Sequence, residues 1–183
     1  MVPSRLMGRR IDPPEPSTIA EDTKKTLDFV ARFGPVPATI ELLAHSPQLL
    51  GPFLGWAGSI ARSGTLSPRH HEVLALRIAH LVDSSYEWAE HRRIAAAAGL
   101  TAEEIESIAS HPHGDGLSDT DRALLDAADE LHRTATLTPE AFDRLAATFG
   151  PAELVEIPLV VGQYAMLSML CGVAGLTVDD AEH

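Results

Sequence analysis

The chain has one cysteine, Cys171, among 183 residues. A single thiol forms no disulfide within the chain, no Cys-x-x-Cys redox pair and no zinc knuckle. Aromatic residues are also scarce, at 5%, so Leu, Ile, Val and Ala must build the core. Tight helix packing through small residues suits that composition, and such packing can continue across a subunit contact. Basic residues are outnumbered, 14 Lys and Arg against 26 Asp and Glu, for a net charge of −12. That balance does not suit binding to nucleic acid or to an anionic membrane. What is present is a globular composition: 45% apolar and 22% charged, with length for one domain that buries about two-thirds of its unfolded surface.

No secretory signal is expected. Met1 to Arg10 is basic, but Pro3, Gly8, Arg9 and Arg10 leave no apolar stretch. From Ile157 to Val178 no residue is charged, which is long enough for a membrane span. Its flanks, however, are Glu153, Glu156, Asp179 and Asp180, and Pro158, Gly162, Gln163, Ser168, Gly172 and Gly175 dilute it. The expectation is a helix buried in the protein or in a subunit contact, in a cytoplasmic protein without a membrane segment.

Helix punctuation runs through the chain, and strand alternation is nearly absent. Thr18-Ile19-Ala20-Glu21 has capping-box spacing and opens a segment ending at Gly34-Pro35. Ser46-Pro47 and Ser67-Pro68 each set an N-cap hydroxyl before a first-turn proline. Thr101, Ser118, Thr138-Pro139 and Gly150-Pro151 open further helices, and Gly99 is placed to close one in the left-handed conformation. The prediction is an all-α bundle of about eight helices joined mostly by short loops. A Pro-rich lead (1–16) precedes one helical domain (17–178), which an acidic tail (179–183) follows.

The chemistry is concentrated in Leu66 to Ile108. One helix carries Glu72 near its start, the chain breaks around Asp83, and a second helix runs from Ser84 to Ala98. Glu87 and His91 are four apart on that helix and share a face, as does Ser84. A carboxylate beside an imidazole orients the ring and raises its basicity, which makes a proton-transfer pair. The competing reading is structural: Ser84-Ser85-Tyr86-Glu87 is itself a capping box, with Glu87 as the N3 carboxylate. His80 also falls at helical spacing with these residues, but the break at Asp83 spoils a metal geometry and no His-Glu-x-x-His pattern is present. No metal and no cofactor is expected.

This segment resembles the carboxymuconolactone decarboxylase family, which includes the alkylhydroperoxidase D-like proteins. The resemblance rests on Leu76-Arg77-Ile78-Ala79-His80-Leu81, Tyr86-Glu87-Trp88-Ala89-Glu90-His91 and Ala98-Gly99-Leu100-Thr101. Leu43-Ala44-His45-Ser46-Pro47 and Val161-Gly162-Gln163-Tyr164-Ala165-Met166 extend it to roughly residues 25–178. It implies an alkylhydroperoxidase D-like helical fold that assembles as a homotrimer or homohexamer, with pockets near subunit contacts.

Peroxidase members of that family carry Cys-x-x-Cys-x-x-x-His on this helix. Aligned on His91, their cysteine positions fall on Ser84 and Glu87, and their relay Glu falls on Glu72. A thiolate attacks peroxide and a second thiol resolves the sulfenic acid; Ser and Glu do neither at a useful rate. The family's decarboxylase branch, with Glu followed by Trp at the second position, fits better. It implies a cofactor-independent lyase acting on a small carboxylated lactone or related acid in aromatic catabolism. In that reading His91 is the general acid/base, Glu87 its partner and Glu72 the end of the relay. Tyr86, Trp88 and Ser84 would contact substrate. Arg77 would anchor it, with Arg92 and Arg93 as further cationic candidates. The alternatives are a non-catalytic oligomer that binds a small ligand on the same scaffold, and residual peroxidase activity.

Overall fold

The computed structural model describes residues 8–181; the basic stretch 1–7 and the last two residues of the acidic tail lie outside them. Among the described residues the chain forms nine α-helices and a closing 3-10 turn, with no strand. They are α1 (Glu21–Ala31), α2 (Ala38–Leu43), α3 (Pro47–Ser63), α4 (Pro68–Leu81), α5 (Ser85–Ala97), α6 (Ala102–Ala109), α7 (Asp119–Thr134), α8 (Pro139–Ala146) and α9 (Pro151–Ala174). The 3-10 turn spans Val178–Asp180.

Most helix starts follow the local chemistry. Ser67, Thr101, Ser118 and Thr138 each accept a backbone N–H of the first turn, and Glu153 accepts from the N–H of Gly150 at 2.8 Å. Two starts differ from expectation. The Thr18 box does not form: its hydroxyl bonds the carbonyl of Glu15, and α1 begins at Glu21 behind an uncapped Ala20. Ser46 precedes α3 without a side-chain cap. The helix count rises above eight because six-residue α2 forms behind Pro37, too short to show a period in sequence.

Helix α4 is the hub, packed against α5, α6, α7 and α9. Val73, Leu74, Ala75, Leu76, Ile78 and Ala79 are all fully buried, so neighbours must cover this helix on every side. Each large aliphatic side chain stabilises the fold by about 1.5–3 kcal/mol through burial. Its first turn is fastened by Arg69, whose guanidinium bonds both Glu104 at the start of α6 and Asp121 at the start of α7.

The break after α4 is a Schellman turn. Asp83 adopts φ 56°, the N–H of Ser84 returns to the carbonyl of Ala79 at 2.9 Å, and that of Asp83 returns to His80. Asp is one of the few non-glycine residues that enter this conformation readily. Two residues later α5 runs back along α4, so Glu72 and His91 come from the two arms of one hairpin. Gly99 closes α5 in the same way, at φ 91°.

The uncharged run becomes α9, which is long and apolar enough to cross a membrane by length and composition alone. Only its inner face is buried in the single chain, with Ile157, Val160, Val161, Tyr164, Leu167, Cys171 and Ala174 inside. The expectation was burial in the protein or in a subunit contact; in the single chain Val155, Leu159, Met166, Met169 and Val173 are exposed along the outer face. The inner face also holds Glu156, whose carboxylate accepts bonds from the backbone of Thr65 and Leu66 and from the Thr65 hydroxyl. This bond set ties α9 to the α3–α4 connection.

Candidate functional site

Glu72, one turn into α4, lies opposite His91 on α5. Its Oε2 is 2.7 Å from Nδ1 of the imidazole, and both residues are buried. On the other side of the ring, Nε2 is 3.6 Å from Oε2 of Glu87. One imidazole therefore stands between two carboxylates. The Tyr164 ring of α9 meets the His91 ring edge-on, with centroids 4.3 Å apart. The Tyr164 hydroxyl is 2.7 Å from Nε2 of His71.

Glu87 is not a helix cap. Ser84 at the N-cap position makes no side-chain cap bond, and its buried hydroxyl has no hydrogen-bond partner. The Glu87 carboxylate turns inward instead, toward His91 and toward Cys171, whose thiol donates to Oε1 at 3.4 Å. The tight turn at Asp83 commits the Ser84 backbone to closing α4, and the box that the spacing allows is not made.

Electrostatics divide the groups. Burial pushes the Glu87 carboxyl up from its ordinary value, against the opposing effects of His91 and the Cys171 thiol. Burial alone would lower His91, but the hydrogen bond to Glu72 and the charges of Glu72, Glu87 and Glu90 outweigh it and raise the imidazole. His71 goes the other way, lowered chiefly by burial. The Cys171 thiol is pushed far up by burial and then by Glu87. The site thus pairs a proton-holding imidazole with a carboxyl inclined to keep its proton, beside a thiol held in its unreactive form.

Glu87 and His91 line a cavity of about 180 Å3. Its walls are Thr39 and Ile40 of α2, Phe53, Ala57 and Ala61 of α3, Tyr86, Glu90 and Ile94 of α5, and Gln163, Tyr164 and Leu167 of α9, with Pro37 at its edge. The wall is largely apolar and carries no Lys or Arg among the described residues. Among the described residues no group of three or more His, Cys, Asp and Glu side chains is placed to hold a metal ion.

The structure brings Glu72, Glu87, His91 and Tyr86 together and sends the other expected substrate contacts elsewhere. The Tyr86 hydroxyl already accepts the Ala38 backbone N–H at 3.0 Å. Ser84 and half-buried Trp88 line a separate cleft with His80, Asp83, Ser85 and Glu106, and Trp88 packs against the His80 ring. Arg77 is corrected outright as an anchor: its guanidinium grips Asp129 at 2.6 and 2.8 Å and bonds the carbonyl of Ile108. Arg92 pairs with Glu106 and Arg93 with Glu90 at the surface. Sequence reasoning missed Tyr164, Gln163 and Cys171 as neighbours of the pair. Their signal was present, since Gln163 and Tyr164 are polar residues inside an otherwise apolar helix, and 164 and 171 are two turns apart on one face.

Residues 47–130 match the sequence model of the carboxymuconolactone decarboxylase family and so carry that family's pattern through α3 to α7. No curated protein sequence matches the chain. Among solved structures, an uncharacterized peroxidase-related protein from Silicibacter sp. TM1040 superposes with a TM-score of 0.83 at 16% identity, covering 96% of this chain and 95% of that one. An uncharacterized peroxidase-related protein from Ralstonia eutropha JMP134, described as an alkylhydroperoxidase AhpD core, gives 0.79 at 18%, covering 92% and 90%. The debrominase Bmp8, as a cysteine-to-alanine variant in complex with 2,3,4-tribromopyrrole, gives 0.77 at 18%, covering 96% and 94%. At these identities the likeness is one of fold, and the fold is alkylhydroperoxidase D-like.

Proposed function

We propose that this protein is a cofactor-independent acid/base enzyme that moves a proton to and from carbon in a small metabolite. The observation that carries this reading is the buried Glu72–His91–Glu87 array, with Nδ1 of His91 held at 2.7 Å and Nε2 facing the second carboxylate at the cavity wall. Glu72 positions the ring and supports its positive charge. His91 and Glu87 reach the cavity, one to take a proton and the other to return it.

Lactone and keto-acid chemistry fits such a pair, because a decarboxylation ends with proton delivery to the carbon that lost carbon dioxide. The three nearby arginines are engaged elsewhere, so the cation that a carboxylated lactone would meet at the wall is the His91 imidazole, with the Glu87 carboxyl beside it. Thiol peroxidase chemistry has little support: the lone thiol is buried and its pKa is raised well above the ordinary value. The exposed Val155, Leu159, Met166, Met169 and Val173 of α9 support self-association as a trimer or hexamer, to be read by light scattering.

The test is solvent deuterium incorporation into a panel of small lactones and ketones, followed by proton NMR, with carbon dioxide release measured for β-keto acids. The expected outcome is exchange or decarboxylation in the wild type and none in His91→Asn. Equal rates in the variant overturn the reading.

A further inference from the structure

One hydrogen bond does not immobilise the ring on which His91 carries its proton. Glu72 holds Nδ1 at 2.7 Å, but the torsion that swings an imidazole is soft, with broad wells. The cavity of about 180 Å3 beside the ring leaves room for that swing. A misplacement of about 1 Å at a reacting group costs about a hundredfold in rate, so the ring needs a second hold.

Tyr164 occupies the place where such a hold belongs. Its ring meets the His91 ring with centroids 4.3 Å apart and planes at 76°, and it lines the same cavity. The far end of the tyrosine is fastened in turn. Its hydroxyl is 2.7 Å from Nε2 of His71, and the His71 ring meets the Tyr164 ring edge-on at 5.5 Å. Tyr164, His71, Glu72 and His91 are all buried. Glu72 completes the loop between α4, α5 and α9, because its second oxygen, Oε1, lies 3.9 Å from His71 Nε2.

His71 suits this place because it carries no charge near pH 7. The groups that face it are Glu72 on its own helix, His91 on α5, and Glu156 and Tyr164 on α9. Burial outweighs both carboxylates and lowers the ring. The Tyr164 hydroxyl keeps its proton through burial and the nearness of Glu72 and Glu87. A cation at position 71 would compete with His91 for the Glu72 carboxylate; a neutral ring leaves that carboxylate to His91.

We infer that His71 and Tyr164 are positioning residues for His91: His71 fixes the Tyr164 hydroxyl, and the Tyr164 ring holds the imidazole with Nε2 toward Glu87 and the cavity. Neither residue exchanges a proton with the substrate. The consequence for turnover rests on the acid/base reading, but the order of the His91 ring is measurable without substrate, so the two fail separately.

Four variants of the full chain test it: Tyr164→Phe, His71→Leu, the two combined, and His71→Gln, whose amide reaches the place of Nε2. The first readout is the solvent-exchange rate of the His91 Nδ1–H proton, by NMR of ring-15N histidine at pH 6 without ligand. Exchange should be about tenfold faster in Tyr164→Phe and in His71→Leu, the size of one net hydrogen bond. The combined variant should be no faster than either, since both remove the same bond, and His71→Gln should stay near wild type. The second readout uses the lactone or ketone of the panel above that exchanges fastest in the wild type. Its kcat should fall about tenfold in the first three variants with KM within about twofold, and recover in His71→Gln. Wild-type proton exchange in Tyr164→Phe, additive losses in the combined variant, or equal losses in His71→Gln and His71→Leu overturn the inference. A raised KM at unchanged kcat also overturns it, by making Tyr164 a substrate contact. Should His71→Leu fail to fold, Tyr164→Phe decides alone. Should no panel member react, the acid/base reading falls and the proton-exchange rates still decide this one.

Discussion

Glu72 and His91 face each other across the α4–α5 hairpin at 2.7 Å, carboxylate Oε2 to imidazole Nδ1. The separation of nineteen residues in sequence is bridged by the Asp83 turn, which reverses the chain over two residues. This contact makes the two neighbouring histidines of the site unlike each other. His91 is raised above its ordinary 6.5 despite its burial, while His71, without such a bond, is lowered below it by burial.

The first prediction follows from that split. In a proton NMR titration, the His91 ring should titrate above pH 6.5 and the His71 ring below it. Glu72→Gln should bring His91 down, since burial then acts with less opposition. The consequence for stability has a definite sign. A pKa raised on folding contributes stability that is complete below the unfolded value and is lost as pH rises through the folded value. His91 therefore favours the fold at pH 6 and progressively less toward alkaline pH. Glu87, also raised, loses in the same direction from about 4.5 upward. His71, lowered, has the opposite sign, with its contribution present above 6.5 and lost as pH falls. Denaturant midpoints compared at pH 6 and 9 should show a smaller alkaline loss in Glu72→Gln than in wild type; a loss of equal size contradicts the assignment.

The hairpin, the helix starts at Ser67, Thr101, Ser118 and Thr138, and the Glu87–His91 pair were legible in sequence because each rests on local spacing, whereas Glu72, nineteen residues from His91, was joined to them only by the resemblance to the family. The cavity was not legible. Its walls come from four helices far apart in the chain, and no periodicity states that Gln163 and Phe53 share a surface. Spacing also misled in one case. Ser84 and Glu87 have the pattern of a box, but the Schellman turn and the pull of His91 and Cys171 on the carboxylate take both residues away from it.

Cys171 shows the same limit from the other side. Eighty-four positions separate it from Glu87, yet its thiol lies 3.4 Å from that carboxylate. Its chemistry is nevertheless quiet, because burial and the neighbouring carboxylate hold the proton on sulfur. Iodoacetamide at pH 8 should leave the native thiol unmodified over the time in which the urea-unfolded chain is fully alkylated, as read by mass spectrometry. Rapid native alkylation would show an accessible, ionisable thiol and would return weight to redox chemistry.

Tyr86 supports the cavity wall rather than offering its hydroxyl to a ligand. It is 1% exposed, and its oxygen accepts the N–H of Ala38 at 3.0 Å, one of the orphan donors at the start of α2. Tyr86→Phe should cost about 1–3 kcal/mol in urea unfolding, the range for a buried N–H left unpaired. Because α2 contributes Thr39 and Ile40 to the wall, the variant should also speed amide exchange in residues 38–43. A neutral effect on stability, with a large loss of ligand affinity, would instead place the hydroxyl on the ligand.

Arg77 separates structural from functional cationic character. It is 4% exposed and binds Asp129 through two nitrogens while a third caps carbonyls at the end of α6, so it joins α4, α6 and α7. Arg77→Met removes that fork and leaves Asp129 and the carbonyl of Ile108 without it. Breaking a buried ion pair costs about 3–5 kcal/mol, and partial exposure of Asp129 puts the expected loss near the lower figure. Lys at this position should recover only part of it, since an ammonium cannot reproduce the planar fork. Turnover by the folded fraction of either variant should be unchanged, because Arg77 does not line the cavity. A stable Arg77→Met protein that has lost turnover would restore this arginine as a substrate anchor.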